Sequence, residues 1–540
     1  MEQVETPGGT GESAERENEL MKVRRSKLQR MVDSGAEPFK PLYKSPQEIA
    51  LSGRLHEQFE GLEPGSGSGK TVSVAGRLMA RREHGKAAFA DLSDSGGKIQ
   101  LILRQDLLGE EAYREFLDLD IGDWVGASGE VVRSKRGELS VAAGSFELLS
   151  KSLRPLPEKW HGLKDRETRY RQRYLDLLMN PRAREVLEAR TAVVRELRRF
   201  LDDRGFMEVE TPMLQPIPGG ATARPFVTHH NALGMDLYLR IAPELYLKRL
   251  LVGGYDRVYE INRNFRNEGI SARHSPEFTM LEAYVAFVDY RYLMDFLEEM
   301  IVTVVERVHG GGELEFAGEP ISMTRPWRRL TMLEALSEYA GIDVDLEADP
   351  SRLKSIAEDN GVELPPAAGS GWIVAELYEK LVEPRLMQPT FVVDYPEEIS
   401  PLARGKPGSP GLTERFEILV AGQEIANAFS ELTDPVEQRK RFEEQAARRE
   451  AGDDEAMTVD EDYLRALEYG LPPTVGLGIG IDRLVMLLAD VSTIRDVTLF
   501  PTLRPEFFGG SGSTTDEDPA DAVIETDDTD ALSGDHGDDT

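Results

Sequence analysis

Gly476-Leu477-Gly478-Ile479-Gly480-Ile481-Asp482-Arg483, late in the chain and followed by the apolar run Leu484 to Leu488, is the stretch on which the reading of the fold turns. Leucine and isoleucine at alternate positions have the period of a strand, and the run after Asp482 has the pattern of a helix. Glycine carries no Cβ, so at every second position another backbone or a ligand can approach closely. Asp482-Arg483 then sets a guanidinium at the strand-to-helix junction, a placement suited to a phosphate. Taken alone, the run fits a tight helix–sheet contact equally well.

Two upstream segments decide the matter. Arg266-Asn267-Glu268 follows an apolar strand pattern, and Gly205-Phe206 precedes Pro212 after a basic amphipathic helix. In that order the three segments resemble motifs 1, 2 and 3 of the class II aminoacyl-tRNA synthetases. Motif 2, Arg263 to Tyr284, reads as a long hairpin whose loop holds Gly269, Ser271, Arg273, His274 and Pro276. Strand side chains alternate, so Arg266 and Glu268 share a face; Phe278 and Tyr284 add rings and Glu282 a carboxylate. Without the other motifs, such pairs on a sheet surface would be ordinary salt bridges. Class I is disfavoured, because no HIGH- or KMSKS-like segment is present.

At 540 residues the chain exceeds what one hydrophobic core usually supports, so two or more domains are expected. An apolar content of 40% and a charged content of 30% are ordinary for a globular chain. The absence of cysteine excludes disulfides and thiolate-held metals, and the eight histidines show no ligand spacing. With no N-terminal apolar segment and no membrane-length apolar run, a cytoplasmic location with no membrane partner is expected. The net charge of −33 at first argues against a nucleic-acid partner. Its distribution weakens the objection: eleven acids and no Lys or Arg fall in residues 511–540, about a third of the excess. Residues 151–200 hold fourteen Lys or Arg against seven acids, and Met21 to Lys44 is also basic. Local patches decide where a polyanion docks, although a solvated helix face would look the same.

Along the chain, residues 1–13 read as disordered and 14–60 as a helical segment, with an amphipathic helix from about Ser13 to Asp33. The Gly/Ser-rich stretch Gly65 to Thr71 imitates a phosphate loop. It fails because Pro64 stands where the first glycine belongs, and because Val72-Ser73-Val74 continues as a strand. Residues 70–152 read as five short strands with a helical insertion near Leu107 to Leu117, fitting an N-terminal all-β barrel of oligonucleotide-binding (OB) type. A linker is expected over 153–180, an α+β catalytic domain on an antiparallel sheet over 181–509, and an acidic disordered tail over 510–540.

Within class II, the chain from about residue 15 to Phe508 resembles the bacterial lysyl-tRNA synthetase family. The resemblance is carried by Ala242-Pro243-Glu244-Leu245-Tyr246-Leu247-Lys248, the motif 2 loop through Tyr284, Glu398 to Ala403, and Gln423 to Leu432. It implies ATP and L-lysine as substrates, Mg²⁺ as cofactor and tRNA(Lys) as partner, with no role for DNA. Arg266 would hold the ATP α-phosphate and the lysine carboxylate. Arg483 would reach the γ-phosphate and cover the adenine, stacked on its other face by Phe278. Glu268 and His274 would contact the adenine and the phosphate tail, and Glu417 and Glu424 would carry Mg²⁺, which favours few carboxylates plus phosphate oxygens. Their spacing spans a strand and its bend, so spacing alone leaves open whether they converge.

An ammonium buried without a counter-charge is costly, so a lysine site needs carboxylates at its far end. The resemblance places Glu282, Glu431 and Tyr284 there, Glu244 and the Gly220 backbone on the α-amino group, and Asn427 beside the substrate. Ala426 and Ala428 stand where many relatives carry glycine, with tolerance expected. In the barrel, the resemblance implies that Phe89 stacks an anticodon base while Arg82 and Gln100, with Glu138 in a lesser role, bond base edges; taken alone, Phe89 would read more readily as barrel core. Motif 1, Phe200 through Pro212, implies a homodimer. Three rivals remain: a noncatalytic RNA-binding paralogue, a lysyl-transfer paralogue lacking the barrel, and an aspartate or asparagine enzyme.

Overall fold

Alternation of apolar and polar residues builds the barrel and the large sheet of this chain. The computed structural model describes residues 10–157, 165–347, 349–364 and 368–504, with side chains from residue 18 onward. The expected disordered N-terminus lies, through residue 9, outside these residues, as do the acidic tail and part of the 153–180 linker.

Five strands, β1 (Gly67–His84), β2 (Ala87–Asp94), β3 (Gly97–Arg104), β4 (Trp124–Arg133) and β5 (Leu139–Ser150), close a barrel in the order β1-β2-β3-β5-β4. Only β3 and β5 pair parallel. Leu78, Ala88, Ala90, Leu92, Ile99, Leu101 and Leu103 point inward and are buried. Each large member contributes on the order of 1.5–3 kcal/mol by leaving water. The insertion consists of two helices, Gln105–Leu108 and Glu110–Asp118. Phe116 of the second is fully buried edge-on to Phe146, with ring centroids 5.1 Å apart. The Gly/Ser-rich stretch leads into β1 with no helix behind it, which removes any phosphate-loop reading. The helix Thr10–Asp33 is tied to the barrel by Arg24, which donates to the carbonyls of Arg154 (2.8 Å) and Ile121 (2.9 Å).

The segment expected as a linker through residue 180 is helical from Arg166, in two pieces, Arg166–Arg171 and Arg173–Met179. The reason is Arg173: fully buried, it bonds the Asp176 carboxylate at 2.8 Å and the carbonyls of Arg495, Thr498 and Leu499. A charge with four bonds holds this stretch to the far end of the chain, which local composition does not reveal.

The remaining strands are β6 (Met207–Glu208), β7 (Leu214–Gln215), β8 (Val227–His230), β9 (Met235–Leu239), β10 (Arg257–Phe265), β11 (Glu277–Ala286), β12 (Glu313–Phe316), β13 (Glu319–Ser322), β14 (Arg328–Thr331), β15 (Thr390–Val393), β16 (Arg415–Val420), β17 (Gln423–Ser430) and β18 (Thr474–Gly480). Eight form one sheet in the order β14-β15-β16-β17-β18-β11-β10-β6. Its six central strands are antiparallel as expected; the outer pairs β14–β15 and β10–β6 are parallel. Helices Pro181–Asp202 and Tyr290–His309 cover one face, burying Val193, Leu197, Phe200, Leu297 and Met300 against Tyr259, Leu281, Ile418 and Ile479. Ala426 and Ala428 point into this core. The other face carries the functional side chains. Among the described residues no helix is long and apolar enough to cross a membrane.

Candidate active site

The open face of the large sheet forms a cleft of about 470 Å³ lined by β11, β16, β17 and β18 and by the loop that follows β10. Strand alternation delivers its side chains: Glu282 from β11, Glu417 and Arg415 from β16, and Glu424 and Asn427 from β17 all line it, as do Gly220, Glu244, Arg266, Glu268, His274, Phe278, Tyr284 and Arg483. Of the expected catalytic-domain residues, Glu431 and Pro212 do not line the cleft. Pro212 is exposed beyond β6.

Motif 3 works differently from its sequence-level reading. A Cβ at Gly476 would collide with the Glu431 carboxylate and stand 2.5 Å from the Tyr284 ring. The missing side chain therefore makes room for two protein side chains at the cleft floor. At Gly478 the neighbour is Met280, 3.0 Å away, and at Gly480 there is ordinary contact with Arg483. Helix Ile481–Leu488 is pinned by Asp482, which accepts from the Thr279 amide at 2.7 Å and from Arg190 at 2.5 Å. That anchor aims Arg483 into the cleft.

Arg483 bonds Glu424 at 3.0 Å and meets His274 Nε2 at 3.2 Å. Burial, then the nearby Arg483 and Arg266, lowers the His274 pKa and keeps the ring neutral. Arg266 lies with its guanidinium 5.0 Å from the Phe278 ring centre. Its Nε has no hydrogen-bond partner among the described residues, and burial pulls its pKa below the ordinary arginine value. A partly enclosed cation with an idle donor is a seat for an anion.

Glu417 and Glu424 converge because β16 and β17 form a hairpin that turns at Ala421-Gly422, both in the left-handed region. Burial, then the Glu424 charge, pushes Glu417 up to about 7. Glu383, on the turn Glu383–Arg385, is pushed up to about 8 by burial and then by Glu417 and Glu424. Mutual repulsion of this kind calls for a cation. Two carboxylates with space in front of them fit Mg²⁺ brought in on phosphate oxygens, although no three-ligand cluster exists among the described residues.

At the far end, Glu282 is buried and accepts from the Tyr284 hydroxyl at 3.0 Å. Burial, then the Glu244 charge, pushes it up to about 8. Gly220 faces Glu244 in a left-handed conformation (φ +89°), where a Cβ would lie 3.0 Å from the Glu244 Cβ. Asn427 accepts from Arg415 Nε at 3.1 Å, and the same guanidinium holds Glu417 at 2.7 Å. Glu431 lies beneath Gly476, buried and paired with Lys248. Lys248 itself is fully buried and bonds Glu244 at 2.5 Å.

Sequence reasoning missed Lys248, Arg415 and Glu383. Lys248 stands one helical turn after Glu244, and Arg415 two residues before Glu417 on the same strand face, so i,i+4 and period-two spacing carried both signals. Glu383 carried none.

In the barrel, Arg82 is paired in register with Phe89, and Asp91 with Gln100. Their inward neighbours Ala88, Ala90 and Leu101 fill the core, so Arg82, Phe89 and Gln100 share the outer face and Phe89 is not core. Gln100 also accepts from Ser140 at 3.1 Å. Glu138 is exposed at the start of β5.

Residues 165–504 match the family described as tRNA synthetases class II (D, K and N), and residues 72–149 match the OB-fold nucleic acid binding domain. The chain is 54% identical to the lysine–tRNA ligase of Syntrophomonas wolfei over 488 residues, covering 90% of this chain and 97% of that one. It is 55% identical to that of Moorella thermoacetica over 493 residues (91% and 99%), and 54% identical to that of Carboxydothermus hydrogenoformans over 488 (90% and 98%).

Proposed function

The chain belongs to the class II tRNA synthetases (D, K and N), and from that premise we propose that it activates L-lysine with ATP and transfers it to the terminal adenosine of tRNA(Lys). The observation that carries lysine specificity is the cleft floor: Glu282 is buried among other carboxylates, and no Lys or Arg stands within ion-pair distance of it among the described residues. An aspartate site would need a cation facing the substrate at that position.

In the first step the lysine carboxylate, ionised at neutral pH, attacks the α-phosphorus in line, and diphosphate leaves. No general base is needed. Arg266 holds the carboxylate and the α-phosphate together, which neutralises charge as it builds. Arg483 and neutral His274 take the phosphate tail, Phe278 the adenine face and Glu268 its edge. Glu417 and Glu424 would hold Mg²⁺, which supplies charge neutralisation on the phosphates when bound. Glu244 and the Gly220 backbone receive the α-ammonium, Asn427 orients the substrate, and Glu282 with Tyr284 receives the ε-ammonium, with Glu431 beneath.

Arg82, Phe89 and Gln100, with Glu138 at the rim, would read unpaired anticodon bases, a mode suited to loops whose bases can be splayed onto a ring. The exposed apolar Met207, Leu214 and Val227 near Pro212 support a homodimer through motif 1. With a role in translation, the enzyme would act in the cytoplasm. The test is ATP–pyrophosphate exchange without tRNA, run with lysine, aspartate and asparagine separately. Exchange with lysine alone is expected; exchange with aspartate or asparagine overturns the substrate, and exchange with none overturns the enzyme.

A further inference from the structure

Beneath the floor of the cleft lies Lys248, a cation that belongs to the protein. Its ammonium bonds Glu244 at 2.5 Å across one helical turn and pairs with Glu431, which follows β17. The rings of Phe429 and Tyr463 flank it at 5.5 and 5.9 Å from their centres. It reaches neither solvent nor the cleft wall. The Glu431 carboxylate has no hydrogen-bond partner besides this ion pair among the described residues. A buried carboxylate stripped of its only cation is strongly destabilised in its charged form.

The charges around the floor are Glu244, Glu282 and Glu431 against Lys248, with Arg240 held by Glu260, Arg415 held by Glu417, and Arg266 facing the cleft. Three carboxylates and one ammonium leave two negative charges. L-Lysine brings two ammoniums, and its carboxylate goes to Arg266. The bound site is then balanced, whereas an amino acid with an uncharged side chain leaves one buried carboxylate unmatched.

We propose that Lys248 is a positioning residue for lysine selection: an internal ammonium that keeps Glu244 and Glu431 ionised and fixed, so that the floor presents charge for two substrate ammoniums. The proposal rests on the lysine-binding reading above. Burial opposes the Lys248 charge, but Glu244 and Glu431 outweigh burial and hold its pKa above the ordinary lysine value. Burial raises the Glu244 pKa, and Lys248 is the main opposing influence.

The experiment is lysine-dependent ATP–pyrophosphate exchange from pH 6.5 to 8.5 with the full-length wild type, Lys248→Met and Lys248→Arg. A wild type without lysine-dependent exchange would fault the lysine reading, not this inference. With exchange present, Lys248→Met is expected to raise the lysine KM by about 10- to 100-fold near pH 7, the usual cost of removing a charged hydrogen-bond partner from a buried carboxylate. That penalty shrinks as pH rises and Glu244 regains its charge, while the ATP KM holds within about twofold and Lys248→Arg stays near wild type. A penalty equal at every pH, or shared equally by lysine and ATP, overturns the proposal. Should Lys248→Met fail to fold, the pair Lys248→Met with Glu431→Gln removes one charge of each sign and is expected to fold and bind lysine within about tenfold of wild type. A double variant that folds and binds lysine far more weakly than this also overturns it.

Discussion

The outer face of the barrel and the floor of the cleft, both assigned to recognition in the proposed function, hold their side chains in opposite ways. Arg82 is exposed and its nearest acid, Asp91, stands 4.0 Å away; Phe89 packs edge-on to His84 with centroids 6.1 Å apart. Nothing there is buried against its preference. At the cleft floor Glu244, Glu282 and Glu431 are all nearly inaccessible, and burial raises the pKa of each. A surface that stacks unpaired bases can stay solvated. A pocket that selects one ammonium must exclude water, and carboxylates buried in it would stay unmatched until that cation arrives.

The comparison breaks most visibly at Arg266. Arg266→Ala is expected to lower lysine-dependent exchange by about 10²–10³-fold, because the group that neutralises the developing phosphate charge is gone. Binding of an anticodon stem-loop to the same variant should be unchanged, as a filter-binding assay would report. Loss of both together would mean that the two regions are not separable. Phe89→Ala is the mirror case. Stem-loop affinity should fall about tenfold, the worth of one base–ring stack, with exchange kinetics untouched.

A smaller effect appears in stability. The Glu282 pKa rises from 4.5 to about 8 on folding, so the folded, ligand-free protein holds a proton that the unfolded chain releases near pH 4.5. The stability this proton contributes is full below pH 4.5 and is lost as pH rises through about 8. The melting temperature without ligand should therefore decline over that window, and Glu282→Gln should flatten the decline by a few degrees at its upper end. At the small extreme, Arg82→Ala should leave the melting temperature unchanged, since an exposed pair at 4.0 Å stabilises little.

How much of this was legible in the sequence follows the same division. Motif 2 keeps its charged residues close together in sequence, so alternation suggested one face for Arg266 and Glu268, while Glu282 and Asn427 were placed by the family resemblance; all four line the cleft. The barrel was legible because five short alternating runs admit few closures, and register then turned Phe89 outward. Contacts made by residues distant in sequence stayed hidden. Arg173 reaches carbonyls near residue 498, which turned an expected linker into helices. Gly476 yields space to the side chains of Glu431 and Tyr284, where its pattern suggested space for another backbone or a ligand. Lys248 reads as one more helix cation until its burial is seen. The outer parallel strand pairs also had no local signature, because parallel neighbours come from separate parts of the chain.

The central claim is that Glu282 at the floor of the cleft selects lysine by charge. Its most direct test is the lysine KM in ATP–pyrophosphate exchange, measured without tRNA at pH 7 and pH 8 for wild type and Glu282→Gln. The wild-type KM is expected to fall as pH approaches 8, where Glu282 loses its proton. In the variant a KM about 10- to 100-fold higher, flat with pH, is expected at an ATP KM near wild type. An unchanged lysine KM in Glu282→Gln would contradict selection by charge.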